Sequence, residues 1–396
     1  MLDITTTSII IKSLNNVKRD VLRTVARLRA ASKSEVQREL GIRFNTVGEA
    51  VDALAVEGYL AVTDPPKLCD AGPGRPPQYF CIADQPHRLL GVALRRGSVE
   101  VAITDLNGQL ISPIQSGRVP TGRSRPEVSA IKSAEVMIQK ILVRNQVLGV
   151  GLGVTGLIDR DAGSLLFSSA LAENKTASLS PLLGAIKDCP LTVDNHVNVL
   201  GELYRHTAKE ADDMEVLLVS LGDGELGASM MLKGPPNEGV VVSANEIGHT
   251  TFPIKTERCY CGQVGCAERL LSTRFLHRLD PAETRSLEEA LAQIPLTPAC
   301  LEVYEHTTRV IANFTQFIRP HRVVLTGPLI QQEMVFRVIQ AGIHERLMPT
   351  LTDRVQIVRW VPDQREPAVL AARLAFGELS GQRRRVSFSS SIPEPG

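Results

Sequence analysis

The stretch from Asn245 to Ser272 restricts this chain more than any other. It holds His249, Cys259, Cys261 and Cys266, a histidine followed by Cys-x-Cys-x4-Cys. Three thiolates and one imidazole suit a closed tetrahedral zinc site, with no coordination position left open for chemistry. Three of the chain's seven cysteines fall within eight residues here, among polar and glycine neighbours. Stray buried cysteines would not cluster in this way. Gly262 and Gly265 let the chain curl so that Cys266 returns to the ion. The expectation is a structural Zn2+ held by His249, Cys259, Cys261 and Cys266.

A chain of 396 residues exceeds one ordinary core, so two or three domains are expected. An apolar share of 43% supports globular packing, and no apolar run is long enough to span a membrane. The apolar run before Lys12 is too short for a secretory h-region. With the cysteines grouped as ligands, a reducing cytoplasm is the expected compartment. The net charge of +1 hides an asymmetry. Between Lys12 and Arg43 stand nine basic residues against three acidic ones, a net of +6. That suits a surface facing phosphates, although a solvated helix face would carry the same charge.

The basic segment has the punctuation of a helix-turn-helix. Val17, Val21, Leu22, Val25 and Leu28 recur at helical spacing. Ser32-Lys-Ser-Glu35 is a capping-box pattern that opens a second helix, which Gly41 ends. A third helix from Phe44 buries Val47, Val51 and Leu54 and stops before Gly58. Residues 59–62 and 78–82 read as two short strands of a wing, joined by a loop rich in Pro and Gly. Two short helices after a longer one, then a hairpin, describe a winged helix-turn-helix. Arg43, Asn45 and Thr46 open its recognition helix, where base edges and phosphates are reached. Arg and Asn carry the donors for guanine and adenine edges. Arg75, in Gly74-Arg75-Pro76, is placed to enter a narrow minor groove. Gly48 and Glu49 are unexpected in such a helix: glycine costs about 1 kcal/mol relative to alanine.

From Leu89 the pattern becomes alternating strands. Residues 89–94 and 99–103 form a hairpin pattern, and Asn107-Gly108 signals a turn into residues 109–111. A helix over 126–143, strands near 147–152 and 191–193, and a helix over 197–205 follow. That order suggests an actin-like, ribonuclease-H-like α/β lobe. Residues 215–221 and 228–232 begin a second lobe, with a long helix at 301–318 and a strand at 322–325. A final helix, 366–379, is expected to cross back to the first lobe. The expected domains are a DNA-binding domain at 1–84, a bilobal domain at 85–380 and a disordered tail at 381–396. Gly151-Leu-Gly153-Val-Thr-Gly156 matches a dinucleotide fingerprint, but turn residues follow it where a helix is required, so a Rossmann site is rejected.

Glu246-Ile-Gly-His249 and then Cys-x-Cys-Gly-x-x-Gly-Cys-x-Glu268 resemble the motif of the ROK family, a set of repressors, open reading frames and sugar kinases. The resemblance extends over nearly the whole chain, including the Gly-Arg-Pro wing. It implies a structural zinc, and it implies that Glu246, His249 and Glu268 hydrogen-bond a sugar's hydroxyls. The loop matching Gly151–Gly156 would lie beside the sugar. The stretch from Val193 to Glu202 resembles the family's Asn-Asp stretch, so Asn195 and His196 join the expected sugar site. Asn195 could equally cap the helix that follows.

In the kinases of the family the residue at His196 is an aspartate base. The first phosphate loop is replaced here by Val92-Ala-Leu-Arg-Arg-Gly97, which lacks the Asp, paired Gly and Thr of the kinases. The second carries Asp223 and Glu225, which would repel a triphosphate by on the order of 1–4 kcal/mol per close pair. Pro328, after Thr326-Gly327, removes a backbone donor. The expectation is a sugar-responsive DNA-binding transcriptional regulator, a repressor, without ATP-dependent activity. Its expected partners are operator DNA, a sugar or sugar phosphate, and its own copies in a homodimer or homotetramer. The alternative is an active kinase for a hexose or amino sugar.

Overall fold

The computed structural model describes residues 14–66, 77–95, 98–118, 126–159, 163–168, 176–186, 189–208, 211, 214–222, 225–233, 241–253, 258–259, 261–271, 298–362 and 366–380. Arg75 and the 381–396 tail lie outside them. The chain divides into two compact units. One holds Met1–Leu166, Ala170–Val199 and Gln364–Gly396; the other holds Phe167–Ser169 and Leu200–Asp363.

The first unit starts with three helices, α1 (Asn16–Leu28), α2 (Lys33–Leu40) and α3 (Phe44–Val56). Each boundary has a local cause. Asn15 caps α1 by accepting from the Lys18 amide at 2.9 Å. Ser32 and Glu35 form the full capping box at the start of α2, and Gly41 ends it with φ 65°. Three short strands accompany the helices: β1 (Ala31–Ser32), between α1 and α2, and β2 (Leu60–Thr63) and β3 (Tyr79–Ile82), after α3. β3 lies between the other two and is antiparallel to both. This is a winged helix-turn-helix. β1 was not evident in the sequence, because two residues carry no period.

The next sheet is built from β4 (Leu89–Arg95), β5 (Ser98–Thr104), β6 (Gln115–Arg118), β7 (Val150–Val154) and β11 (Leu191–Asn195), in the order β11-β7-β4-β5-β6. β4, β5 and β6 form an antiparallel meander; β7 and β11 run parallel to β4. Residues 109–111 do not form the third strand. Asn107-Gly108 turns the chain back, Leu110 bridges Thr104 and the Ile111 amide donates to the Ile103 carbonyl at 2.9 Å, but the regular third strand starts at Gln115. The Asp105 carboxylate braces the turn by accepting from the Gln109 amide. A small sheet of β8 (Leu157–Asp159), β9 (Ser164–Phe167) and β10 (Ala177–Ser178) follows β7. Helices α4 (Pro126–Leu142), α5 (Ser180–Ala185) and α6 (His196–Thr207) complete this stretch.

The second unit repeats the arrangement. β12 (Val216–Gly222), β13 (Glu225–Met231) and β14 (Val241–Asn245) are antiparallel; β15 (Arg322–Thr326) and β16 (Gln356–Arg359) run parallel to β12. The order is β14-β13-β12-β15-β16, the same three-plus-two plan as the first sheet. Its helices are α7 (Ala267–Leu270), α8 (Pro298–Ile318), α9 (Glu333–Arg346) and α10 (Pro349–Thr352). Two sheets of one topology, each with its own core, define the actin-like bilobal fold.

The last helix, α11 (Pro367–Leu379), returns to the first unit and lies across β4, β5 and β7. Gly91 and Gly151 are register partners on β4 and β7. A Cβ on Gly91 would stand 1.8 Å from the Ala368 carbonyl oxygen, and one on Gly151 would stand 1.8 Å from that of Ala371. This contact explains why glycine occupies Gly151: the close approach expected of the Gly-rich stretch is to a helix backbone. Further along α11, Ala372, Ala375, Phe376 and Leu379 enter the same apolar cluster as Val21, Leu22, Val47 and Leu54 of the winged helix.

Gly151→Ala should destabilise the protein by at least 1–3 kcal/mol through overpacking. Gly184→Ala, at an exposed position with open space around it, should be neutral or slightly stabilising. Denaturant titration of both variants checks this; equal midpoints would remove the close-packing explanation.

Candidate functional site

In the second unit, β14 ends at Asn245 and the chain tightens into a 3-10 turn at Ile247–His249. Residues 250–252 then pair with 265–267. The Phe252 amide donates to the Gly265 carbonyl at 2.9 Å, and the Ala267 amide donates to Thr250 at 3.0 Å. Gly265 has φ 89°, and a Cβ there would lie 2.1 Å from the Phe252 oxygen. Gly262, with φ 92°, turns the chain between Cys259 and Cys266. The glycines therefore do what the sequence asked of them: they close the loop.

That loop gathers the four expected ligands. The donor atoms of His249, Cys259, Cys261 and Cys266 all lie within 4.8 Å of one another. His249 Nδ1 is 3.5 Å from Cys259 Sγ, and Cys261 Sγ is 3.5 Å from Cys266 Sγ. A tetrahedral ion with metal–sulfur bonds of about 2.3 Å separates its sulfurs by about 3.8 Å, so the set fits. Burial pushes the Cys259 thiol up to about 11 and raises Cys266 as well. A divalent cation would replace those protons and compensate the thiolate charge. The cluster can hold a metal ion.

With Nδ1 on the ligand side, the other ring nitrogen of His249 faces two carboxylates. Nε2 is 3.5 Å from Glu246 Oε2 and 3.9 Å from Glu268 Oε2, too far for good hydrogen bonds. It is buried and has no hydrogen-bond partner among the described residues. Burial lowers the imidazole's pKa and raises that of Glu246. Gly248 makes room: a Cβ there would lie 3.0 Å from Glu268 Oε2 and 2.6 Å from the Leu226 oxygen. Phe167 packs edge-on against the His249 ring, with centroids 5.2 Å apart. Nothing in the sequence pointed to Phe167, which is remote along the chain.

Asn195 and His196 belong to the first unit. Asn195 closes β11 and caps α6: its Oδ1 accepts from the Val197 amide at 3.0 Å, and its Nδ2 donates to the Gly156 oxygen at 2.7 Å. Asp194, buried beside it, accepts from the Asn195 amide and from Asn198 Nδ2. The helix-cap role of Asn195 is thus present. His196 is the first residue of α6 and half-buried. Of the three altered phosphate loops, Gly97 and Asp223 lie outside the described residues. Gly327, at φ 101°, is pressed against β12, where a Cβ would stand 2.4 Å from the Leu221 oxygen. Pro328 opens a short 3-10 turn.

On the winged helix, Arg43, Asn45 and Thr46 are all exposed at the start of α3, which has no side-chain cap. Four of the basic residues are paired, two with Asp20 and Glu39, which the net of +6 already counts, and two with Glu57 and Asp52, which lie outside the segment. Lys18 pairs with Glu57, Arg23 with Asp20, Arg27 with Glu39 and Lys33 with Asp52. Among the described residues Arg38 and Arg43 form no ion pair, and both are exposed. Among the described residues no helix is long and apolar enough to cross a membrane.

A winged helix joined to a two-lobed domain with this loop is the plan of a known class, and the chain belongs to the ROK family, whose model matches residues 89–377. It is similar to the xylose repressor of Caldicellulosiruptor bescii, 24% identical over 277 residues; the match covers 67% of this chain and 66% of the relative's length. It is also similar to the glucokinase of Halalkalibacterium halodurans, 32% identical over 139 residues, covering 34% of this chain and 41% of that one. Among solved structures, one described as a ROK family transcriptional regulator, homologue of the E. coli MLC protein, superposes with a TM-score of 0.70. It is 17% identical and covers 93% of this chain and 98% of its own.

Cys261→Ser should lose about one equivalent of bound metal per chain, measured by elemental analysis. The loop around residues 249–266 should then become protease-sensitive, since such ions contribute on the order of 10 kcal/mol to ordering their sites. Full metal content in this variant would exclude the four-ligand set.

Proposed function

We propose that this protein is a sugar-responsive transcriptional regulator, acting as a repressor, and that it carries no sugar kinase activity. One observation carries the effector reading: the buried His249 Nε2 has no hydrogen-bond partner among the described residues and faces two carboxylates at 3.5 and 3.9 Å. A hydroxyl group both donates and accepts, so sugar hydroxyls placed in that gap would accept from the imidazole and donate to Glu246 and Glu268. Zinc on Nδ1 would fix the tautomer that leaves Nε2–H as donor. The thiolate-rich, four-donor set favours Zn2+ in a structural role. Asn195 and His196 enter the sugar site on the family resemblance alone. The xylose repressor relative makes pentoses, with hexoses beside them, the first sugars to try.

The DNA reading rests on the exposed, uncapped start of α3. Arg43, Asn45 and Thr46 offer donors there, and Arg75 stands in the sequence between the two wing strands. A homodimer or homotetramer on a pseudo-palindromic operator follows from the family resemblance, as does the division at residue 84 between DNA-binding and sugar-binding domains.

Two variants should separate the functions. Arg43→Ala should weaken operator binding by about 1–3 kcal/mol while leaving sugar affinity and thermal unfolding unchanged. Glu268→Gln should keep its metal and its operator affinity but lose about 1.5–3 kcal/mol of sugar affinity. Fluorescence anisotropy at fixed salt and calorimetry read the two arms; normal operator affinity in Arg43→Ala and normal sugar affinity in Glu268→Gln would overturn the assignments.

The kinase reading has the glucokinase similarity behind it. It is tested by sugar-dependent ATP turnover, expected to be absent in the wild type and not recovered in His196→Asp. Restoring a base cannot restore a nucleotide that has no loop to bind it. Sugar phosphate formed by the wild type would establish the kinase instead.

A further inference from the structure

Phe44 is the first residue of α3 and is 51% exposed. A lone exposed hydrophobic residue is ordinary, and Val143 and Phe317 are more exposed still. What distinguishes Phe44 is its setting. Arg43, Asn45 and Thr46 surround it, all exposed, on a helix with no acidic residue in its first turn. One turn further along the same face, at i+4, stands Gly48.

Gly48 has no reason inside the protein to be glycine. Its φ is not positive, and a Cβ added there would meet nothing within 4 Å. Gly91, Gly151, Gly265 and Gly327 each answer to a backbone that approaches them; Gly48 answers to empty space. A glycine inside a helix costs stability, and Gly184 in α5 is equally open, so open space alone decides nothing; what sets Gly48 apart is its place on the face that carries Arg43 and Phe44, where a close approach by an outside partner would use it. The flanking groups are cationic or hydrogen-bonding, which favours duplex DNA over an apolar protein surface. Glu49, also exposed, can accept from a cytosine amino group but cannot face a phosphate.

We propose that Phe44 reads a thymine 5-methyl group in the major groove, and that Gly48 lets the α3 backbone approach the DNA there. The proposal deepens the regulator reading and rests on it. Phe44 is then a specificity-determining residue: its ring has no hydrogen-bonding atom, and the methyl is the apolar mark that distinguishes thymine in the groove.

The test uses the full-length, metal-loaded protein. Wild type first selects its operator from a randomised duplex library. Each selected thymine is then replaced by uracil, which lacks only the methyl. At one position in each half-site, uracil should weaken wild-type binding about fourfold, the value of one buried methyl or methylene group. Phe44→Ala should bind the thymine and uracil duplexes equally. Gly48→Ala should raise the thermal midpoint and yet bind the operator at least tenfold more weakly, opposite signs that a purely structural glycine would not give. A wild type that selects an operator but is indifferent to uracil everywhere overturns the Phe44 assignment and leaves the regulator reading standing. A Phe44→Ala protein with altered oligomeric state overturns it too, by making Phe44 a contact between copies. Unchanged or tighter binding by Gly48→Ala overturns the close approach. A wild type that selects no sequence overturns this proposal and the regulator reading together.

Discussion

The contact between α11 and the glycine floor of the first sheet holds the first unit together. Gly91 and Gly151 face each other across β4 and β7, and the α11 backbone sits directly on them. No other residue type permits a separation at which helix carbonyls occupy the space of a Cβ. The same helix continues into the apolar cluster of the winged helix through Ala372, Ala375, Phe376 and Leu379. Residues near position 370 are thus shared by a sheet that starts at Leu89 and a helical bundle that starts at Asn16.

The second unit depends on a different constraint, the closed loop around His249. Its backbone pairing, its two left-handed glycines and its three cysteines all serve to hold one imidazole at a set angle. Nδ1 faces sulfur and Nε2 faces carboxylate, so the two nitrogens of one ring look onto different chemistry.

Much of the local structure was legible in the sequence. The Ser32/Glu35 box, the Gly41 stop and the period of Val47, Val51 and Leu54 each act within a few residues, and each appears as read. The ligand set was legible for the same reason: metal coordination demands side-chain types so specific that spacing alone exposes them. The third strand of the meander was legible only in its approach: the chain pairs briefly beyond the Asn107-Gly108 turn, at Leu110 and Ile111, and the regular strand starts at Gln115, where no alternation marks it. Phe167 was invisible as a neighbour of His249, since no period connects residues 82 positions apart.

Caps, turn glycines, ligand chemistry and strand alternation are all local, so the winged helix, a cluster able to hold a metal ion and the two-lobed plan could be read from the residues alone. Only the tertiary structure decided what the glycines at 91, 151, 248 and 327 are for, and that the glycine at 48 is for nothing within the chain. It also decided that Asp52 and Glu57, outside the basic segment, take up two of its six net positive charges. Sequence records that a residue lacks a side chain or bears a charge; the space or partner that gives the property its consequence comes from chain far away.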